Sequence, residues 1–176
     1  MYKRQIDGDS LLERDGFEAL ARELMDLRAR IGENITVYQV VRLAPATDSS
    51  TASYVHFGGK IGVLVELAGG AGHEDSARDV AMHVAATDPI GVSPDDIPAA
   101  ERERERKLLV EQAAQEGKPE SIVEKIVEGR MRKFYEQNAL LLQPFVKDPD
   151  VTIQERLGAV AEGLTVRRFV RFQIGD

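Results

Sequence analysis

Hydrophobic residues recur along this chain with two alternating periods, and their order predicts the elements. From Ser10 to Arg30, Leu11, Leu12, Phe17, Leu20, Leu24 and Leu27 fall near helical spacing, interrupted by Gly16, and Gly32 is placed as the C-cap. Ile35–Leu43 then alternates, with Ile35, Val37, Val41 and Leu43 on one face, which predicts a strand. After a loop at Ala44–Ser50, Ala52–Phe57 and Lys60–Leu67 flank Gly58-Gly59, the residues of a tight hairpin turn. Ile61, Val63, Val65 and Leu67 line one face of the second arm and are expected to point into a core.

The period then changes. Ala77, Val80, Ala81, Val84 and Ala85 form one buried stripe of a helix over Glu74–Ala86, which Asp88-Pro89 stops. A connector with Pro94 and Pro98 leads to two helices, Ala100–Gln115 and Pro119–Asn138. Between them lies Glu116-Gly117-Lys118, with Gly117 suited to a C-terminal cap and Pro119 to a first turn. This is a helical hairpin. Leu140–Val146 is apolar around Pro144, Val151–Glu162 reads as a short helix, and Val166–Ile174 as a closing strand in the same sheet as the β-hairpin. The expected class is α+β, an antiparallel sheet covered by helices with an antiparallel helical hairpin inserted. The expected division is 1–30, an N-terminal helical remnant; 31–99, the first part of the sheet core; 100–138, the hairpin; and 139–176, the rest of the core.

Composition narrows the function. The 176 residues carry a net charge of −7, which argues against a general nucleic-acid binder, because phosphate contacts need clustered Lys and Arg. Cysteine is absent, which removes disulfides, thiolate chemistry and Cys-ligated zinc. No apolar run reaches the roughly 20 residues of a membrane span. The N-terminus lacks a signal-peptide core, so a cytoplasmic protein without membrane contact is expected. Residues 1–5 carry no pattern and are read as a junction rather than native sequence.

Most candidate chemistry has a plainer reading. His83 lies beside the buried stripe of its helix, and His73 is too remote along the chain to join it at i, i+4 spacing, so packing outweighs a metal site. Gly69-Gly70-Ala71-Gly72 lacks the Lys-Ser/Thr of a phosphate loop, and Glu74 and Asp75 would repel an anion there. It is read as a flexible connector. The run ERERERK from Glu101 is read as a solvated helix face, and Arg167, Arg168 and Arg171 as charges on an exposed strand. No nucleophile elbow or HExxH occurs, and no cofactor or metal is expected.

Six segments in order resemble elongation factor Ts: RIGENITV at Arg30–Val37, HFGGKIGVLVEL at His56–Leu67, DVAMHVAA at Asp79–Ala86, EGKPESIVEKIVEGRMRKFYE at Glu116–Glu136, QPFVKDP at Gln143–Pro149 and VRRFVRFQIG at Val166–Gly175. The resemblance implies a guanine-nucleotide exchange factor, not an enzyme, that binds elongation factor Tu in its GDP-bound and nucleotide-free forms. It implies a partner-binding set of Ile31, Gly32, His56, Phe57, Gly58 and Gly59. The family's histidine at the position of His56 wedges into the G domain and disturbs the loop holding the β-phosphate, and its Ile-Gly pair matching Ile31 and Gly32 lies at the rim of the contact. Homodimerisation through the helical hairpin is a further expectation. The family's N-terminal helical domain, its Thr-Asp-Phe-Val segment and its C-terminal helix find no match here, so a fragment is expected. The alternative is then a truncated module that docks on elongation factor Tu, or dimerises, without catalysing exchange.

Overall fold

The computed structural model describes residues 18–33, 35, 40–41, 43–116 and 119–175. The chain divides into two compact units, Met1–Ala44 and Pro45–Asp176. In the first, helix α1 spans Glu18–Ile31 and buries Ala21 and Leu24, while Leu20 is 46% exposed. Gly32 ends it as expected: φ is +73°, and its N–H donates to the Arg28 carbonyl at 2.9 Å. The earlier part of the predicted helix, with Phe17, lies outside the described residues. So does most of the predicted strand Ile35–Leu43, including Val37, and so does the Gly117 cap.

The second unit is α+β. Strands β1 (Ser49–Val55) and β2 (Ile61–Ala68) form an antiparallel hairpin, and β5 (Thr165–Gln173) pairs antiparallel with β2 on its other side, giving the order β1-β2-β5. The closing strand therefore joins the sheet of the hairpin, as its pattern predicts. The register sets Tyr54 opposite Val63, Ala52 opposite Val65, and Val65 opposite Phe169, so these residues share one face. Helix α2 (Glu74–Thr87) lies on that face. Its Ala77, Val80, Ala81, Val84 and Ala85 meet Val63, Val65 and Leu67 in a core completed by Leu140, Phe145, Ile153, Leu157, Leu164 and Val166. Small residues on the helix stripe let it approach the sheet closely.

Helices α3 (Ala99–Gln115) and α4 (Glu120–Asn138) pack against each other around a second cluster, Leu109, Ala113, Val127 and Met131. Strands β3 (Pro144–Phe145) and β4 (Asp148–Thr152) pair antiparallel, and helix α5 spans Ile153–Val160. Strand β4 takes Val151 and Thr152, so the helix starts two residues later than the expected Val151–Glu162 and also ends earlier, at Val160. A capping box shows why: the Thr152 hydroxyl accepts from the Glu155 N–H at 3.2 Å, and the Glu155 carboxylate accepts from the Thr152 N–H at 2.8 Å. These bonds lower the Glu155 pKa, led by the Thr152 backbone contact.

Gly69–Gly72 is less loose than a connector need be. Buried Ser50 donates from its hydroxyl to the Gly70 carbonyl at 3.1 Å and accepts from the His73 N–H at 2.8 Å. Gly69, at φ +103°, lies so near the backbone that a Cβ there would stand 2.7 Å from the Gly163 carbonyl carbon. Glycine is needed at this point for close approach.

Candidate ribbon-tip site

The β1-β2 ribbon ends in a four-residue loop, Phe57–Lys60. The His56 N–H donates to the Ile61 carbonyl at 2.9 Å, and the Gly59 N–H donates to the His56 carbonyl at 2.9 Å. The turn is therefore centred on Phe57-Gly58, one residue earlier than Gly58-Gly59 would place it. Gly58 has φ +89° and Gly59 φ +72°, left-handed values that side-chain-bearing residues rarely adopt. The third strand reaches the same end, because the Ile174 N–H donates to the Lys60 carbonyl at 2.8 Å. The loop is thus anchored at both feet.

His56, Phe57, Gly58 and Gly59 come together here, all exposed. Phe57 is 98% exposed, the most extreme value among the large apolar side chains of the described residues. The Tyr54 hydroxyl stands 3.2 Å from His56 Nδ1, and the two rings are 6.1 Å apart between centroids. Tyr54 is a neighbour that the pattern holds in plain view, since i and i+2 share a strand face. Ile31 (52% exposed) and Gly32 belong to the first unit and carry the end of α1.

The sheet's second face carries an apolar strip that the sequence reading missed. Gly62 opposes both Val55 and Phe172, and Leu64 opposes Val170, so all point away from α2. Where Gly62 has no side chain a shallow groove of about 170 Å³ opens, lined by Val55, Leu64, Val170 and Phe172 among others. Val55 is 67% exposed and Ile174 72%. The signal lay in the second parity near the tip, where Val55, Leu64, Val170 and Phe172 are apolar, whereas Thr51, Glu66 and Arg168 on the same face are polar.

Other candidates are accounted for internally. His83 is fully buried; its Nε2 is 2.9 Å from Gln143 Oε1, and its Nδ1 lies 3.3 Å from the Val146 N–H, which donates to it. Burial drives its pKa below the ordinary value, against the Gln143 hydrogen bond. Glu66, also fully buried, is bound by Arg168 Nε at 2.6 Å, with Arg167 Nε at 3.7 Å and the Ala46 N–H at 3.1 Å. A bulge opposite Glu66/Leu67 inserts one extra residue in β5, which lets two consecutive arginines reach one carboxylate. Burial raises the Glu66 pKa, but the Ala46 N–H and Arg168 outweigh it and hold it below the ordinary value. Arg171 pairs with Asp88 at 3.3 Å. Among the described residues no group of three or more His, Asp or Glu is placed to hold a metal, and no helix is long and apolar enough to cross a membrane.

Fold and site together define an α+β protein whose three-stranded sheet projects an exposed tip and whose chain inserts a helical hairpin between strands. Residues 6–176 match the family model described as Elongation factor TS. The chain is 51% identical over 157 residues to Elongation factor Ts of Alkalilimnicola ehrlichii, covering 89% of this chain and 52% of that protein. It is 48% identical over 174 residues to Elongation factor Ts of Halorhodospira halophila, covering 97% and 56%. For the same protein of Acetivibrio thermocellus the values are 46% over 142 residues, 74% and 66%. The chain belongs to the elongation factor Ts family, and it spans about half the length of the first two relatives.

Proposed function

We propose that this chain binds elongation factor Tu and promotes release of its GDP, with the ribbon tip as the wedge. The observation that carries this is the exposed His56-Phe57 pair on a loop whose feet are hydrogen-bonded into three strands. A wedge must keep its shape when it meets resistance, and the sheet supplies that stiffness. His56 is assigned to the phosphate-loop side of the partner and Phe57 to an apolar seat beside it; Ile31 and Gly32, in the other unit, are assigned a contact of their own with the partner.

Such a protein forms and breaks no bond and needs no cofactor. It binds the nucleotide-free partner better than the GDP-bound one, and linkage then requires that GDP bind the complex correspondingly less well. Nanomolar affinity corresponds to about 12 kcal/mol, so unaided release is slow. Coupling of about 3–4 kcal/mol expressed in the release transition state accelerates it by two to three decades. The work is cytoplasmic, on the partner as it cycles during translation.

The test is release of a fluorescent GDP analogue from elongation factor Tu. His56→Ala is expected to lose most of the acceleration while the complex still forms; an unchanged rate with binding intact sinks the assignment. The 98% exposure of Phe57 also favours a narrower reading, docking without release. Capture of elongation factor Tu with no acceleration by the unaltered chain selects that reading.

A further inference from the structure

At the base of the helical hairpin a groove of about 540 Å³ opens between α3 and α4, remote in sequence from the tip. It falls within the range of small-molecule sites. From α3 it takes Ala99, Arg102, Glu103 and Arg106, and from α4 Glu128, Met131, Arg132 and Tyr135. Each set is spaced i, i+3, i+4, i+7, which is the spacing of a packed seam. On α3 the seam runs through the buried Ala113 and Leu109, and steps of four and three lead back through half-buried Glu105 to half-buried Arg102, with Arg106 exposed beside them. One guanidinium group, that of Arg102, thus stands where the apolar contact should continue. Charge at seam positions costs hairpin stability, so another use accounts for it better.

Arg102 is also under-satisfied. Arg102 Nε is buried without a hydrogen-bond partner, and the nearest carboxylate recorded for this side chain, Asp95, is 3.9 Å from its Nη1. Arg106 and Arg132 are exposed, and among the described residues they make no ion pair. A buried N–H without an acceptor is uncommon and calls for one. Guanidinium forks match phosphate oxygens in pairs. Beside them Tyr135 and Met131 supply an apolar wall, and Glu103 and Glu128 supply acceptors for hydroxyl donors.

We propose that this groove binds a nucleoside diphosphate: phosphates on Arg102, Arg106 and Arg132, the base against Tyr135, and ribose hydroxyls toward Glu103 or Glu128. The experiment uses the full chain without any partner protein, following arginine Nε–H resonances while ADP, GDP, inorganic pyrophosphate or adenosine is added. A saturable shift at Arg102 Nε with ADP or GDP is expected, at affinity about tenfold above pyrophosphate, with adenosine weaker still. Arg132→Gln is expected to weaken nucleotide binding about tenfold with helicity unchanged. Arg102→Leu, which continues the apolar seam, is expected to raise the melting temperature and abolish nucleotide-induced stabilisation. No saturable shift at millimolar nucleotide overturns the proposal. Equal affinity for pyrophosphate and nucleotide also overturns it, because charge alone then explains binding. So does a lowered melting temperature in Arg102→Leu, which would give Arg102 a purely structural role.

Discussion

Replacing Gln143 with leucine tests the polar junction beneath the sheet. Gln143 is 4% exposed, and its carboxamide serves three groups. Oε1 accepts from Thr87 Oγ1 at 3.0 Å and lies 2.9 Å from His83 Nε2, while Nε2 donates to the Gln137 carbonyl at 2.6 Å. With Nδ1 accepting from Val146, His83 must carry its proton on Nε2 and donate it to Gln143. Leucine leaves that N–H buried without an acceptor, which costs about 1–3 kcal/mol. Thr87 keeps its other acceptor, the His83 carbonyl at 3.0 Å, so its loss is small. With the Gln137 bond gone as well, and some return from the apolar side chain, the expected destabilisation is about 2–3 kcal/mol. For a chain of this size that lowers the melting temperature by about 5–10 °C.

Chemical and thermal denaturation of the single variant and of His83→Leu/Gln143→Leu measure it. The double variant removes donor and acceptor together and should recover about 1 kcal/mol or more of the single loss. The pH dependence has a definite sign. A histidine whose folded pKa is depressed binds its proton more readily when unfolded, so its contribution is full above about pH 6.5 and is lost as pH falls through the lowered folded value. His83→Leu should flatten that decline. A Gln143→Leu loss below about 0.5 kcal/mol, or an undiminished acid slope in His83→Leu, refutes the reasoning.

Gly69→Ala should destabilise the sheet unit by about 2–4 kcal/mol in urea titrations, because its Cβ would meet Leu164 Cα at 2.8 Å and the left-handed backbone disfavours alanine. Glu66→Gln should cost about 1–2 kcal/mol at neutral pH by weakening the Arg168 bond. Its effect should shrink in acid, since a carboxyl of depressed pKa contributes above the ordinary range near 4.5 and loses that contribution as pH falls through its folded value. Equal losses at pH 7 and pH 3 would contradict this. Phe57→Ser should leave the melting curve within about 0.5 kcal/mol of the parent, because the ring is 98% exposed. The same change should weaken capture of elongation factor Tu roughly tenfold, as expected of an aromatic anchor.

Much of the fold was legible because its signals are local. The alanine-valine stripe of α2, the alternation Ile61-Val63-Val65-Leu67 and the helical hairpin each depend on neighbours within two to four positions, and the structure repeats them nearly residue for residue. The tip segment could be found the same way, through glycines beside a strand, although its turn is centred one residue earlier. The Thr152–Glu155 box was equally local and was overlooked.

Local pattern therefore determined the main helices and the three strands of the sheet, but not the short β3-β4 pair. Tertiary structure decided the rest, because the deciding contacts join residues far apart. Nothing near Glu66 tells that a bulge about a hundred positions later brings Arg167 and Arg168 to its carboxylate. Nothing in the α2 repeat assigns His83 to Gln143 rather than to solvent. That Phe57 stands free follows from where the turn falls, and that Val170 meets Leu64 follows from strand order and register. A side chain's period is set by the backbone beside it; its partner is set by how the whole chain closes, and closure is visible only in three dimensions.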